Sequence, residues 1–188
     1  MPMKILFITG SARKNSITAE LCGIAASAIP DADVTYIRPD GMRIEHCTGC
    51  GICSSAERCV VSDDMHIIYD AVEKNEVIVL ATPVYFSGPS SIMKQVIDRF
   101  QCLWVRRRTK NRFAALIAAG GHERPVFSNT VSIAKAFAAS IGAEWLGELT
   151  VSGTDNIRDI PESLFREAYS FGSAIAAKYA ELTSNRRP

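Results

Sequence analysis

The sequence predicts an α/β protein in which one parallel sheet carries helices on both faces. Short apolar segments rich in branched residues alternate with amphipathic helical segments along the 188 residues, and this alternation is typical of strand-helix-strand units. Unusual loops follow three of the predicted strands, at the carboxyl ends where such sheets bind ligands. With 47% hydrophobic residues the chain can bury a full core, so we predict a single domain over residues 1–184 and a short tail at 185–188.

The balance of charges gives no general reason to expect nucleic acid or an anionic membrane as a partner, because the formal net charge is only +1. No apolar run approaches the length of a membrane span, and the N-terminus leads into the first strand without a charged leader. We therefore expect a cytoplasmic protein with no nucleic-acid partner and no membrane partner. Six cysteines in such a chain favour metal or redox chemistry over a disulfide framework.

The first elements form a strand, a helix and a second strand. The apolar run Lys4–Thr9, which ends at Gly10, predicts a strand buried on both faces. A helix is predicted over residues 17–28 and is closed by Pro30, because proline cannot continue a helix. The β-branched segment Val34–Ile37 predicts the next strand. This succession is the unit from which parallel sheets are built.

Residues 38–62 interrupt the alternation with a long irregular connection, which in a compact domain usually carries a function. The connection contains four of the six cysteines. Ser62, which two aspartates follow, is predicted to cap a helix that ends near Lys74. The inward face of that helix is predicted to carry Met65, Ile68 and Val72.

The second half of the chain repeats the pattern of strands and helices. A buried strand is predicted at Val77–Thr82, followed by a loop with two aromatic residues between Pro83 and Pro89. A helix is predicted from Ser90 to Arg99. Its apolar stripe is predicted to consist of Ile92, Val96, Ile97 and Phe100. The remaining elements are predicted as a basic connection at Arg106–Arg112, a strand at Phe113–Ala119, a helix at Val126–Ile141, a strand at Trp145–Val151 and a helix at Pro161–Leu182.

The loop after the first strand favours an anion. It supplies hydroxyl groups, the positive charges of Arg13 and Lys14, and the first N–H groups of the following helix, which lack partners at the positive end of the helix dipole. The loop lacks the G-x-x-x-x-G-K-[ST] and G-x-G-x-x-G patterns, which argues against nucleoside triphosphates and dinucleotides and favours a phosphate monoester. In the alternative interpretation Ser16 is a plain helix cap and the two basic residues form a solvated turn.

The cysteines of the irregular connection have the spacing C-x2-C-x2-C-x5-C. They are Cys47, Cys50, Cys53 and Cys59. Four thiolates can surround one soft metal centre, and successive x2 spacings fit a four-iron cluster better than a zinc ion, whose ligands usually come as two separated pairs. Structural zinc, disulfides and free thiols remain alternatives. Cys102 lies outside the pattern and is interpreted as packed. His46 could tune a cluster by hydrogen bonding, although a solvated histidine is the simpler interpretation.

Several segments together resemble the flavodoxin-like NADPH-dependent FMN reductases, and among them the iron–sulfur flavoproteins. Residues 10–18 resemble that family's phosphate loop, G-S-P-R-x-x-x-x-T, with Ala12 in the place of the usual proline. The spacing of the four cysteines is similar to the cluster motif of the iron–sulfur flavoproteins. Residues 60–65, 81–86 and 94–99 are similar to the family segments C-V-x-x-D-D-M, S-P-V-Y-F and K-x-x-I-D-R.

The resemblance implies a flavodoxin-like sheet of five parallel strands in the order 2-1-3-4-5, with the cysteine-rich insert after strand 2. It further implies FMN, with its phosphate in the first loop and its ring against the loops after the third and fourth strands. The residues expected to bind FMN are Ser11, Arg13, Lys14, Asn15, Ser16, Thr18, Pro83, Val84, Tyr85, Phe86, Ser87, Gly120 and Gly121. Taken alone, Tyr85 and Phe86 would be interpreted as ordinary strand-end packing. Asp98 and Arg99 either pair on a helix surface or hold the loops.

Our first functional hypothesis is an FMN-dependent oxidoreductase that couples FMN to a [4Fe-4S] cluster held by the four cysteines. This hypothesis predicts NADPH, another reduced nicotinamide or a ferredoxin-like protein as electron donor and a small-molecule oxidant as acceptor. The resemblance further implies a homodimer or homotetramer. No catalytic acid or base is predicted, and His122 is a possible neighbour of the flavin edge. The alternatives are an NADPH-dependent FMN or quinone reductase without a cluster, and a redox sensor that contacts a partner through Arg106–Arg112.

Overall fold

The computed structural model describes residues 2–56, 58–106 and 112–184. Most of the basic connection at Arg106–Arg112 and the predicted tail at 185–188 lie outside these residues. The strands are β1 (Lys4–Thr9), β2 (Asp33–Ile37), β3 (Val77–Tyr85), β4 (Gly88–Pro89), β5 (Arg112–Gly120) and β6 (Ala143–Val151). The helices are α1 (Ile17–Ser27), α2 (Met65–Lys74), α3 (Ser91–Arg99), α4 (Gln101–Arg106), α5 (Ser128–Ser140) and α6 (Glu162–Ser184).

Five strands pair in parallel in the order β2-β1-β3-β5-β6. This is the predicted order once β4 is set aside. The two-residue β4 was not predicted: it pairs antiparallel with the end of β3, and β3 consequently extends through Pro83 to Tyr85 instead of ending at Thr82. The carboxyl ends of the parallel strands meet at one edge of the sheet, as the sequence leads us to expect.

The sheet separates two apolar layers because its central strands are buried on both faces. Ile5, Phe7, Val77 and Val79 contribute to the layer that α1 and α6 cover. Alternate residues of the same strands point to the other layer, which α2, α3 and α5 cover. Within the described helices, none is both long and apolar enough to cross a membrane.

Three helix details differ from the prediction. Helix α2 begins at Met65 and not next to Ser62, because the Asp63 carboxylate accepts the Met65 N–H (3.1 Å) and Asp64 takes the capping position. The inward face of α3 carries Met93, which is fully buried, where Ile92 was predicted. Helix α4 was not predicted at all. The predicted inward residues of α2, namely Met65, Ile68 and Val72, are all buried.

The contact between α1 and α6 gives a first testable prediction, based on two helical glycines. A Cβ on Gly172 would lie 2.8 Å from the carbonyl carbon of Ala25, whereas a Cβ on Gly23 would meet nothing within 4 Å. We expect Gly172→Ala to destabilise the protein by about 1–3 kcal/mol, because the two backbones must separate. The matched control Gly23→Ala should stabilise it by about 0.5–1 kcal/mol through helix propensity. Urea unfolding measures both, and equal effects of the two substitutions would contradict the packing described.

Candidate functional site

The loop after β1 is held in place by the start of α3. The Gly10 N–H donates to the Ala81 carbonyl (2.8 Å), and Ser90 Oγ donates to the Gly10 carbonyl (2.5 Å) while accepting the Met93 N–H (3.2 Å). A Cβ on Gly10 would lie 2.7 Å from the Met93 Cβ, so only glycine allows α3 to approach this closely. Gly10 therefore couples β1 to α3.

Two further residues fix the conformation of this loop. Ser16 caps α1 by accepting the Ala19 N–H at 3.4 Å, so the capping role considered from the sequence is confirmed. The cap leaves other first-turn N–H groups without helical partners. Arg38, at the end of β2, donates to the carbonyls of Ser11 (3.3 Å) and Arg13 (3.2 Å). The sequence did not reveal this contact, which ties the loop backbone to the neighbouring strand.

A cavity of about 330 Å³ opens where β1, β3, β5 and β6 end. We call it the flavin cavity, after the ligand that the sequence resemblance implies. Its lining residues are Ser11, Arg13, Ser16, Ile17, Thr18, Pro83, Val84, Tyr85, Phe86, Ala119, Gly121, His122, Thr154 and Asp155. Ser11, Ser16 and Thr18 are almost completely buried. Their hydroxyl groups and the Arg13 guanidinium make one end of the cavity suited to an anion.

Most of the residues expected to bind FMN line this cavity, but four do not. Lys14 and Asn15 are exposed on the outside of the loop. The Ser87 carbonyl accepts a hydrogen bond from Thr130 Oγ1 (3.4 Å), and Gly120 lies against Pro125, which leaves no room for a Cβ. These residues therefore shape the segments that line the cavity. They do not themselves form its wall.

The hairpin between β3 and β4 presents two aromatic side chains at the rim of the cavity. Phe86 (φ 49°) and Ser87 (φ 62°) both adopt left-handed backbone conformations, which are unusual for residues other than glycine. The Phe86 side chain is fully exposed and Tyr85 is about half exposed. Strained backbone of this kind persists when surrounding contacts enforce it, and it is concentrated at binding sites.

The loop after β6 completes the flavin cavity with residues that sequence reasoning missed. Asp155 Oδ1 lies 3.8 Å from Arg13 Nη1, with both side chains largely exposed, and a Cβ on Gly121 would collide with the Asp155 carboxylate. Thr154 is buried beside it. The signal was available in principle, because the rule that ligands bind at the carboxyl ends of strands applies to β6 as well.

The cysteine-rich connection forms a second cavity, of about 530 Å³, which we call the thiol cavity. Cys47, Cys50, Cys53 and Cys59 all line it as free thiols. Gly49 (φ 66°) and Gly51 (φ 73°) make the backbone turns between them possible. Among the described residues, no three His, Cys, Asp or Glu side chains lie close enough together to hold one metal ion.

Cys102 also lines the thiol cavity, from α4. It is buried, as the sequence predicted, with 4% of its surface exposed. Its Sγ donates to the Arg99 carbonyl (3.5 Å), and the Tyr69 hydroxyl donates to the same oxygen (2.6 Å). The position next to the four spaced cysteines depends on α4, so the sequence could not show it.

A buried ion pair between Asp63 and Arg99 anchors the wall of the thiol cavity. Both side chains are 1% exposed, and the guanidinium binds the carboxylate through Nη1–Oδ2 (2.5 Å) and Nη2–Oδ1 (3.1 Å). Arg99 Nη1 also donates to the Glu45 carbonyl (2.7 Å), and Asp63 Oδ2 accepts the Glu45 N–H (2.8 Å). Both backbone groups of Glu45, two residues before Cys47, are therefore bound by the pair.

Neighbouring contacts extend this anchor along the chain. The Asp64 carboxylate accepts the Arg43 N–H (2.7 Å), the Asp64 N–H donates to the Arg43 carbonyl (2.9 Å), and Gln95 Nε2 donates to the Ile44 carbonyl (2.6 Å). Asp98, by contrast, pairs with Lys94 on the surface (2.7 Å). The surface pair considered between Asp98 and Arg99 is therefore wrong, because Asp98 pairs with Lys94 and Arg99 pairs with Asp63. The alternative role, holding a loop, applies to Arg99.

The surroundings of the pair keep both groups charged. Burial acts to raise the pKa of Asp63, but hydrogen bonds from Arg99 and from the Glu45 and Met65 N–H groups outweigh it, and the pKa lies below its usual value. Burial acts to lower the pKa of Arg99, and the hydrogen bond to Asp63 outweighs that effect. Arg99 Nε is buried without a hydrogen-bond partner in the described residues, an arrangement that typically costs about 1–3 kcal/mol.

Comparison with known proteins agrees with this architecture. The sequence model of the family described as NADPH-dependent FMN reductase matches residues 3–153. An iron-sulfur flavoprotein of Archaeoglobus fulgidus is 31% identical over 117 residues, which cover 61% of this chain and 53% of that protein. An iron-sulfur flavoprotein of Methanocaldococcus jannaschii is 29% identical over 120 residues, which cover 63% of this chain and 62% of that protein. The chain therefore spans between half and two thirds of the length of these relatives.

Solved structures extend the comparison to the fold. A flavone reductase superposes with a TM-score of 0.73 at 21% identity, covering 95% of this chain and 64% of that chain. At this level of identity the likeness shows the fold alone, and it supports the flavodoxin-like arrangement of strands and helices. The sequence comparisons support both the family and the subgroup that the motifs resemble.

The buried ion pair gives the second prediction. We expect Asp63→Asn to destabilise the protein by about 3–5 kcal/mol at neutral pH, because the charge of Arg99 stays buried without its partner. The depressed pKa of Asp63 means that its contribution is present above the ordinary aspartate value of about 3.9 and is lost as pH falls through the lower folded value. Urea unfolding of both proteins between neutral pH and about pH 3 measures the difference, which should shrink with acidification.

The matched control for this measurement is Asp98→Asn. Its partner Lys94 is about half exposed, so the loss should be at most about 0.5 kcal/mol. A destabilisation of Asp63→Asn no larger than that of the control would contradict the anchoring role of the buried pair.

Proposed function

Because the chain belongs to the NADPH-dependent FMN reductase family, we propose that it is an FMN-dependent oxidoreductase that binds FMN in the flavin cavity and a [4Fe-4S] cluster in the thiol cavity. The observation that carries the proposal is the meeting of the polar loop after β1, the aromatic hairpin after β3 and Gly121 in a single cavity. Both the substrates and the oligomeric state are part of the proposal.

The two ends of the flavin cavity suit the two ends of FMN. Ser11, Ser16 and Thr18 offer hydroxyl groups, and Arg13 offers a positive charge, for the phosphate. At the other end, Pro83 to Phe86 provide apolar and aromatic surface for the ring. FMN, when bound, supplies the conversion between two-electron and one-electron transfer, since a four-iron cluster passes one electron at a time. The protein's own contribution is to bind and orient, and we assign no side chain to proton transfer.

The donor set of the thiol cavity fits an iron–sulfur cluster. Four thiols, supplied by Cys47, Cys50, Cys53 and Cys59, face one space of about 530 Å³. Thiolates are the ligands such clusters require, and each one binds a different iron of a four-iron cluster, so that the ligands surround a larger volume than those of a single ion. Arg99 lines the same cavity, and its Nε–H, which has no partner in the described residues, is a donor from which a cluster sulfur can accept a hydrogen bond. Both relatives compared above are described as iron-sulfur flavoproteins, which supports the same proposal.

The exposed aromatic residues at the rim of the flavin cavity suit the binding of small or flat substrates and a contact with a second copy of the chain. Tyr85 and Phe86 are exposed there, and exposed aromatic side chains are typical of ligand and subunit contacts. We propose NADPH, another reduced nicotinamide or a ferredoxin-like protein as donor, a small-molecule oxidant as acceptor, and a homodimer or homotetramer as the assembly.

The second candidate function is an NADPH-dependent FMN or quinone reductase without a cluster. The specific observation in its favour is that, within the described parts of the chain, no three metal-ligating side chains converge on a single point. The third hypothesis, a sensor that contacts its partner through Arg106–Arg112, concerns a segment that lies mostly outside the described residues.

The phosphate end of the flavin cavity gives the third prediction. Arg13→Gln should weaken FMN binding about tenfold or more, the effect of losing one charge-assisted hydrogen bond, and should leave riboflavin binding unchanged because riboflavin has no phosphate. Lys14→Gln removes the adjacent charge, which does not line the cavity, and should weaken FMN binding less than Arg13→Gln does. Quenching of flavin fluorescence measures the dissociation constants. Equal losses for FMN and riboflavin in Arg13→Gln would contradict the assignment of the phosphate site.

The thiol cavity gives the fourth prediction. Protein purified without oxygen should contain about four irons and as many acid-labile sulfides per chain, since each of the four thiolates binds one iron. Cys59→Ala should lose the iron and retain FMN. The control Cys22→Ala should retain both, because Cys22 lies on the buried face of α1, where burial raises the pKa of its thiol to about 12. Stoichiometric zinc without sulfide would exclude the cluster and favour the second candidate.

A further inference from the structure

We propose that Arg99 donates a hydrogen bond from Nε to a sulfur atom of the centre in the thiol cavity and thereby raises the reduction potential of that centre. Arg99 is then more than the anchor of the cavity wall. The inference rests on the proposed iron–sulfur function, and it concerns a residue that the cysteine pattern does not include.

The hydrogen bonds of Arg99 leave one nitrogen for this role. Nη1 donates to Asp63 and to the Glu45 carbonyl, and Nη2 donates to Asp63. Nε is buried and has no partner in the described part of the chain. A buried N–H without an acceptor is rare in folded proteins and calls for an explanation, such as a ligand that supplies the acceptor.

The location of Arg99 supplies that explanation. Arg99 lines the thiol cavity together with the four spaced cysteines, Cys47, Cys50, Cys53 and Cys59. His46, the other cationic donor considered from the sequence, is exposed. Within the described residues, Arg99 is therefore the buried cation of the cavity wall.

The effect on the potential comes from the N–H group more than from net charge. Asp63 neutralises the guanidinium, since both side chains are 1% exposed and directly paired. A hydrogen bond to sulfur stabilises the more negative, reduced state of a cluster more than the oxidised state, and such bonds are among the factors that set cluster potentials. The bond therefore raises the potential.

The primary variant is Arg99→Lys, because lysine keeps the positive charge opposite Asp63 but has no planar fork and no Nε–H. We expect the ratio of reduced to oxidised cluster at a fixed potential to fall about tenfold, a shift of about 59 mV to a more negative midpoint for a one-electron couple. The matched control is Arg58→Lys, the same change at an exposed arginine beside Cys59, and its midpoint should equal that of the unmodified protein. Anaerobic redox titration followed by EPR measures all three.

A second measurement uses the unmodified sequence and does not depend on the stability of the variant. Protein grown with arginine labelled with ¹⁵N at Nε alone should show a ¹⁵N coupling in pulsed EPR of the reduced cluster. The coupling should disappear in Arg99→Lys where that variant binds a cluster, and persist in Arg58→Lys. Absence of any ¹⁵N coupling in the unmodified protein would overturn the proposal even if Arg99→Lys does not fold.

The outcomes separate this inference from the function on which it rests. If the unmodified protein binds no cluster after anaerobic reconstitution, the proposed function fails and the inference fails with it. If it binds a cluster but Arg99→Lys lowers only the melting temperature and leaves the midpoint unchanged, Arg99 is an anchor alone and the inference is wrong while the function stands.

Discussion

The buried pair of Asp63 and Arg99 is the interaction on which the thiol cavity depends. Much of the connection between β2 and α2 lacks regular secondary structure, so its backbone groups must find partners outside a helix or a strand. The pair binds the N–H and the carbonyl of Glu45 at once, and Asp64 does the same for Arg43. Arg99 of α3 and the two aspartates before α2 thus replace the hydrogen bonds of a neighbouring strand. The backbone immediately before the first of the four spaced cysteines, Cys47, is therefore held in place.

Helix α3 links the two cavities. At its start, Ser90 binds the Gly10 carbonyl and the helix packs against Gly10 itself, which holds the loop of the flavin cavity. At its end, Arg99 holds the wall of the thiol cavity. A helix of this length extends about 13 Å. Because both loops are held by the same helix, the two sites are positioned relative to each other by one element.

The sequence was informative wherever the signal is local. Alternating apolar segments predicted the five parallel strands and their helices. The spacing of the cysteines predicted that four thiols lie together, and all four line one cavity. Features that depend on contacts between distant segments could not be predicted. Arg38 reaches the loop of Ser11 from the end of β2, and Cys102 reaches the thiol cavity through a helix that was not predicted. Lys14 and Asn15 belong to the phosphate motif but lie on the outer side of the turn, because neighbours in a loop need not point the same way.

The choice of an ion pair at the base of the thiol cavity follows from what has to be bound there. An apolar pair of similar volume often stabilises a fold as well as a buried ion pair does, but it could not satisfy the N–H and the carbonyl of Glu45, which would then be left unpaired. Lysine in place of Arg99 would supply the charge, but it lacks the planar guanidinium that donates hydrogen bonds to Asp63 and Glu45 simultaneously. Arginine alone among the cationic residues binds both of these partners and still presents a further N–H, on Nε, within the wall of the cavity.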